Sequence, residues 1–404
     1  MHAAVEGPKA ALIWLDIAPY HAARSRAAFS KSRFAVETIE IFGVSGFAEF
    51  RAGESVRAGF QQRSLNLPRD AKSGEIRAEL WRTLDAMCPV VVFAPGWALS
   101  PALMAIEWCA ANEVRCVIMS ESNRHDEPRF TMKELIKRQI VSVSQAALVG
   151  ATDAADYMSD LGMPHDRISW GYDIIDNDHF ARGACAAQRN ADSVRIKLGL
   201  PQSYLLFCAR LIEKKNHLLF LHAYADARRS QRGGTPSLLL VGPGPLESTI
   251  RERVNELGLS EHVILKGAFG YEDLPAIYGL AEGAVLPSVT EQWGLVVNEA
   301  MAAGLPVLVS ERCGSASTLV EDGGNGFKFD PFDRAAITDA LVRFFRLSCA
   351  EHEAMGARSK EIIANWGPAR FAQGFDAAAM AAMVAPVRKP SIGNRLLLRA
   401  LTFR

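Results

Sequence analysis

The chain has 404 residues, enough for two domains of ordinary size, and its 49% hydrophobic and 22% charged residues are those of a soluble globular protein. The 45 basic and 45 acidic residues cancel, which argues against a nucleic-acid binder working by phosphate neutralisation. No run of about 18 uninterrupted apolar residues occurs, so no membrane span is predicted.

In chain order, near-continuous apolar strands alternate with helix-period segments. The first half gives strands over 11–15, 38–42, 90–93, 115–119, 147–150 and 167–170. The opening run 10–15 is too short and too lightly flanked for a signal peptide, and reads as the first strand. A polar stretch, 173–192, separates these from a second set over 204–208, 237–241, 262–265, 283–286, 306–309 and 326–329. Repeated strand–helix order with Val/Ile/Leu-rich strands predicts two Rossmann-like α/β domains, each a parallel sheet covered on both faces, with a ligand cleft at the strands' carboxyl ends. Seven cysteines, odd in number and without a Cys-x-x-Cys pair, argue against structural zinc or a disulfide framework and fit a reducing compartment. The tail from Arg388 to Arg404 is basic, has no acidic residue and carries a Leu-Leu-Leu core. It is compatible with contact to an anionic membrane surface and equally with a frayed terminus. A cytoplasmic protein, or one peripheral on the membrane, is expected.

The most informative segment runs from Ser288 through Glu291, Gly294 and Glu299 to Gly304 and Pro306. Residues 294–303 read as a helix, Gly304 as its αL stop, and Pro306 as a residue that cannot continue it. Two carboxylates eight positions apart thus bracket a helix start, whose free N–H groups and positive dipole end suit a phosphate. Carboxylates repel phosphate but accept hydrogen bonds from sugar hydroxyls. A diphosphate with a sugar on each side, a nucleotide sugar, is the ligand this pattern predicts. Glu299 also sits in a helix too apolar to be a free surface, so its carboxylate needs a partner.

This segment resembles the Glu-x7-Glu signature of family 4 retaining glycosyltransferases, which have the GT-B fold of two Rossmann-like parallel-sheet domains facing a central cleft. Further stretches fit in order: Leu205 to Arg210 and on to Lys215, Leu238 to Gly242 and Gly244, His262 to Gly267, Ala284 to Ser288, and Asp322 to Gly326. The match is tight over 200–345 and loose over most of the remainder. The resemblance implies an N-terminal acceptor-side domain over 1–178, a donor domain over 190–368, and a terminal segment, 369–404, crossing back to the first. It implies that Arg210 and Lys215 neutralise the departing diphosphate, that Glu291 holds the donor sugar and Glu299 the ribose, and that the backbone of Gly294, Leu295 and Val296 cradles the phosphates. Gly267 would face the base. Gly242 belongs to a strand-to-helix turn bordering the cleft, since Glu247 stands where a dinucleotide fingerprint has its third glycine.

The N-terminal half departs from the family. Its first loop has no glycine and offers Tyr20, His21 and Arg24 as acceptor or phosphate contacts, resembling a bacterial polysaccharide-type subgroup. Glu121 and Ser122 occupy the neighbourhood of the family's usual His, and His125 either replaces that His or is a loop residue. The charged stretch between Arg124 and Met132 is a candidate acceptor-side lid. Asp176-Asn-Asp178 spells a metal-binding Asp-x-Asp but falls in what resembles an interdomain linker, so no metal and no cofactor are expected. The implied function is retaining, metal-independent transfer of a sugar from a nucleotide-sugar donor to a hydroxyl of a saccharide or lipid-linked acceptor. The alternatives are a non-catalytic nucleotide-sugar binder and a sugar-nucleotide epimerase.

Overall fold

The computed structural model describes residues 7–43, 57–231, 233–387 and 391–402. The chain divides into two units: unit 1 comprises Met1–Ile175 with Pro368–Arg404, and unit 2 comprises Asp176–Gly367.

Unit 1 runs β1 (Lys9–Trp14), α1 (Pro19–Lys31), β2 (Ala35–Glu40), β3 (Gln62–Ser64), α2 (Ser73–Met87), β4 (Val91–Pro95), α3 (Ser100–Asn112), β5 (Arg115–Ser120), α4 (Thr131–Ser142), β6 (Ala146–Val149), α5 (Thr152–Asp160) and β7 (Ile168–Trp170). Its seven strands, all parallel, lie in the order β3-β2-β1-β4-β5-β6-β7. The central strands are buried along nearly their whole length, hence their continuous apolar sequence. The edge strand β3, Gln-Arg-Ser, has no apolar residue and carries no periodic signal, so sequence reasoning missed it.

Unit 2 runs α6 (Asn177–Arg189), α7 (Ala191–Leu198), β8 (Tyr204–Cys208), α8 (His217–Ser230), β9 (Ser237–Val241), α9 (Glu247–Glu256), β10 (Val263–Lys266), α10 (Leu274–Gly279), β11 (Gly283–Leu286), α11 (Leu295–Ala303), β12 (Val307–Ser310), α12 (Gly314–Leu319), β13 (Gly326–Phe329), α13 (Arg334–Phe345) and α14 (Cys349–Ala364). The six parallel strands lie in the order β10-β9-β8-β11-β12-β13. One face packs Leu205, Phe207, Leu238, Leu240 and Val285 against Phe220, Tyr224, Leu341 and Phe344 of α8 and α13.

The stretch 173–192 is not a polar spacer. Asp173, Ile174 and Ile175 are buried in unit 1, and α6 belongs to unit 2, where it buries Phe180, Ala184 and Ala187. It fits because glycines remove side chains at the contact: a Cβ at Gly183 would press on Pro275, and one at Gly279 would press on Ala184. Asp176, half of the Asp-x-Asp, is the N-cap of α6 and accepts from the His179 amide at 3.1 Å. Polar sequence here marks a helix start.

After Gly367 the chain returns to unit 1 as α15 (Pro368–Val384) and α16 (Ile392–Thr402). Alanines and Gly374 let α15 lie close on the sheet: Phe375 stacks on Phe93 at 3.8 Å, and a Cβ on Gly374 would overlap the Trp170 carbonyl oxygen.

Candidate functional site

Both sheets reverse their strand order beside their first strand, between β8 and β11 in unit 2 and between β1 and β4 in unit 1. In open parallel sheets such reversals open a crevice beyond the carboxyl ends of the strands, where loops from both directions diverge. The predicted residues gather in these two places.

In unit 2, β8 leads to Arg210 and then to a single helical turn, Glu213–Lys215, while β11 leads to Ser288 and Glu291. The Val289 amide donates to the Lys214 carbonyl at 2.9 Å and joins the two loops. The Glu291 carboxylate is ion-paired with Lys215, lies 3.7 Å from the Lys214 ammonium, and accepts from the Ser288 hydroxyl at 3.4 Å. Side-chain exposure is 11% at Lys215 and 38% at Lys214, so Lys215 is the lysine turned into the site. Arg210 is exposed, and its guanidinium pairs with no carboxylate among the described residues. It remains available to an anion.

The Glu291 loop is fixed on its other side. The Glu291 amide donates to the Arg312 carbonyl and the Gly314 amide donates to the Glu291 carbonyl, at 3.2 and 3.1 Å. Buried Trp293 donates its indole N–H to Asn298 at 2.8 Å and stacks on Trp366 at 5.3 Å. Helix α11 then follows its N-cap Gly294, whose φ of 95° is one that a β-carbon disfavours. The N-cap glycine has no side chain with which to cap this end, so Leu295 and Val296 open the helix at the positive end of its dipole. The predicted start was Gly294 itself, but as N-cap it lies just outside the helix.

Glu299, one turn further on, has the partner that its apolar surroundings demand. The Tyr278 hydroxyl, from α10, donates to it at 2.7 Å. Burial pushes the Glu299 carboxyl up to about 7, Tyr278 well up, and the neighbouring Cys208 thiol up to about 12. Sequence reasoning missed Tyr278. Its signal was a lone hydroxyl in the apolar run Leu274 to Leu280.

Gly242 and Gly244 serve the loops themselves: a β-carbon at either would overlap the backbone of Ala209 or Leu211. Gly267 is exposed, with open space around its Cα. Nearby, His179 stacks on Tyr271 at 4.2 Å with the rings almost parallel.

Unit 1 gathers Tyr20, His21 and Arg24 on the first turns of α1, Glu121 after β5, and Tyr172 and Asp173 after β7. Arg24 is fully buried between aromatic rings, 5.1 Å from Tyr20 and 4.4 Å from Tyr172. It pairs with Asp173 at 3.3 Å and donates to the Ile174 carbonyl, while its Nη1 makes no hydrogen bond among the described residues. Asp173 has room only because residue 150 is glycine. Burial and then the nearby Glu121 charge hold the Asp173 carboxyl well above its usual range. His21 stacks on Trp14 at 4.3 Å, and its Nδ1 lies 2.8 Å from the Asp16 carbonyl. Burial and the Arg24 charge hold it well below the ordinary histidine range, hence neutral.

Ser122 is half-buried beside this cluster, its amide donating to the Ser120 hydroxyl at 3.2 Å, whereas His125 is exposed. The charged loop after it is anchored: Arg129 bonds the Asn123 carbonyl, Asp126, Glu134 and the Tyr157 hydroxyl. Sequence alone offered no reason to expect Trp14, Tyr172 or Asp173 here, because Trp14 ends β1 while Tyr172 and Asp173 follow β7, far along the chain. Among the described residues no three His, Cys, Asp or Glu side chains gather as a metal-binding group.

The family of glycosyl transferases group 1 matches residues 188–362, which hold Arg210, Lys215, Glu291 and Glu299. The chain is 33% identical over 175 residues to the GDP-mannose-dependent alpha-(1-6)-phosphatidylinositol monomannoside mannosyltransferase of Mycolicibacterium smegmatis, covering 41% of this chain and 44% of that protein. It is 32% identical over 243 residues to the D-inositol 3-phosphate glycosyltransferase of Corynebacterium urealyticum, covering 56% of this chain and 55% of that one. The chain thus spans about half the length of the curated relatives it matches. Its whole architecture is similar to that of Anabaena HepE in complex with UDP and glucose, with a TM-score of 0.71 and 16% identity over 93% of this chain and 100% of that one. The two parallel-sheet units have the GT-B fold.

Proposed function

We propose that the protein is a retaining, metal-independent glycosyltransferase that moves a sugar from a nucleotide-sugar donor to a hydroxyl of a saccharide or lipid-linked acceptor. The observation that carries this reading is the arrangement around α11. A helix start with glycine as its N-cap is accompanied by the Lys215–Glu291 pair in the loop before it and the Tyr278–Glu299 pair one turn inside it. Bond cleavage leaves charge on a diphosphate. Lys215, Arg210 and the α11 amides would neutralise that charge in a fixed, partly dry setting, where such stabilisation contributes most to rate. Glu291 and Glu299 would accept hydrogen bonds from the donor sugar and the ribose. Lys215 then exchanges Glu291 for phosphate, and the carboxylate is released to the sugar hydroxyls.

No strong general base stands among these groups. The acceptor hydroxyl would pass its proton to the leaving phosphate oxygen on the same face, the outcome being retention. The unit 1 cluster, with the spare Arg24 nitrogen and the Tyr20 hydroxyl, is the acceptor-side candidate. Of the relatives named above, the GDP-mannose-dependent phosphatidylinositol monomannoside mannosyltransferase supports a nucleotide-sugar donor and a lipid-linked acceptor by similarity.

A thermal-shift panel of UDP, GDP, ADP and their sugar conjugates tests the reading. A ligand at 100 times its dissociation constant should stabilise the protein by about 2.7 kcal/mol. Lys215→Ala should remove that shift and lower transfer by roughly 100-fold or more. Turnover that survives EDTA, with an α-configured donor giving an α-linked product by NMR, is the further expectation. No shift with any nucleotide would sink the assignment. A shift without transfer to any saccharide or lipid-linked acceptor would leave a nucleotide-sugar binder.

A further inference from the structure

Unit 1 has a surface that the proposed reaction does not use. On α4, Met132 and Leu135 stand 74% and 56% exposed, one turn apart, and Phe130 just before the helix is 56% exposed. The Lys133 ammonium lies 5.3 Å from the Phe130 ring. The helix's single carboxylate, Glu134, is occupied by Arg129, Lys137 and the Tyr157 hydroxyl. Helix α16 turns Leu398, Leu401 and Thr402 inward. Its outer stripe is Ile392, Arg395, Leu396 and Arg399, spaced as one helical face, with Ile392 80% and Leu396 64% exposed. The Asn394 amide meets the Ser142 hydroxyl at 3.5 Å, so the start of α16 lies against the end of α4.

Next to this contact is a cavity of about 290 Å³, lined by Arg138, Ser142, Gln145, Arg167 and Pro386 among others. The guanidinium groups of Arg138, Arg167, Arg395 and Arg399 pair with no carboxylate among the described residues. Bulky apolar side chains in water, interleaved with unpaired cations, are what a helix lying in a bilayer interface presents: the apolar groups enter the headgroup boundary and the cations meet lipid phosphates. A second copy fits poorly. A two-fold contact would set α16 cations against α16 cations, and the sequence 388–404 has no acidic residue to relieve the repulsion.

We propose that α4, α16 and the Arg138/Arg167 cavity form a docking surface for an anionic phospholipid bilayer, with a headgroup phosphate seated between Arg138 and Arg167. No described helix is long and apolar enough to cross a membrane, so the contact is peripheral. This deepens the lipid-linked acceptor reading given above but is carried by the unit 1 surface alone. The basic residues Arg388, Lys389 and Arg404 lie outside the described residues.

Flotation of the full chain with phosphatidylcholine vesicles, with and without phosphatidylglycerol, tests the proposal. The wild type should float with the anionic vesicles and lose them in high salt. Arg395→Gln with Arg399→Gln should weaken partitioning about 25-fold, at about fivefold per cation. Arg138→Gln with Arg167→Gln should act similarly, Leu396→Asp should abolish binding, and Arg251→Gln on α9 should change nothing. Failure of the wild type to float, or equal flotation of all variants, would overturn the proposal. So would a dimer that Leu396→Asp converts to a monomer without any vesicle binding. The nucleotide shift is measured on the same samples, so loss of one property does not masquerade as loss of the other.

Discussion

Units 1 and 2 share a parallel-sheet plan with a strand-order reversal beside the first strand, but they assemble their charged groups differently. In unit 2 the groups sit on loops that follow neighbouring strands, β8 and β11, and on the single helix α11. Its half-buried carboxylates face lysine ammoniums or a hydroxyl. In unit 1 the centre is a fully buried arginine, with partners supplied from α1, the β5 loop and the β7 loop. The first arrangement leaves groups that can change partners when a ligand enters. The second is a closed ion pair whose removal would expose an uncompensated charge. One site is therefore sensitive mainly in binding, the other in stability as well.

The largest expected effect follows from that difference. Arg24→Met removes the cation paired with buried Asp173 and should destabilise the protein by about 3–5 kcal/mol in urea unfolding. Adding Asp173→Asn should restore much of the loss, since a neutral pair tolerates burial. A single mutant as stable as wild type would break the contrast. Gly374→Ala comes next, at about 1–3 kcal/mol, because the new methyl meets the Trp170 backbone, which cannot rotate away. A thermal shift reads it, with donor binding in unit 2 unchanged.

The smallest effect sharpens the unit 2 side. Folding raises the Glu299 carboxyl to about 7, above its ordinary 4.5, so the folded state holds the proton more tightly than the unfolded chain. The stability Glu299 contributes is present below about 4.5 and is lost as pH rises through about 7, since the slope follows the extra proton of the folded state. Ribose hydroxyls donate best to the ionised form. Nucleotide affinity should therefore rise about tenfold between pH 6 and 8, and Glu299→Gln should flatten that profile in calorimetry. A flat wild-type profile would detach Glu299 from the ligand.

The unit 2 site was largely legible in the sequence. Arg210, Lys215, Glu291, Gly294 and Glu299 fall within motifs fixed by local geometry: a strand end, a helix start and a spacing of eight along one loop and helix. The strand run of that unit was legible for the same reason, since continuous apolar segments of four or five residues have few other uses in a parallel sheet. The role of Tyr278 was not legible, because what makes it matter is its approach to Glu299 on α11, a contact between separate elements that no periodicity announces. Lys215 was named by the resemblance, but its ion pair with Glu291, a residue 76 positions away, was not a local matter.

In unit 1 the sequence nominated Tyr20, His21, Arg24 and Glu121 one loop at a time, with nothing to join them. The fold joined them by bringing the ends of β1, β5 and β7 into one neighbourhood and completing the set with Tyr172 and Asp173. The sequence by itself determined the two parallel sheets, the order of their apolar strands and the α11 motif, because strand burial, helix stops and loop spacing are properties of contiguous residues. Only the tertiary structure decided that Asp173 belongs to unit 1 and α6 to unit 2, that Arg24 is a buried ion-pair partner, that Lys215 pairs with Glu291, and that the start of α16 lies against the end of α4. Each of those depends on contacts between distant segments, whose energies no local pattern encodes.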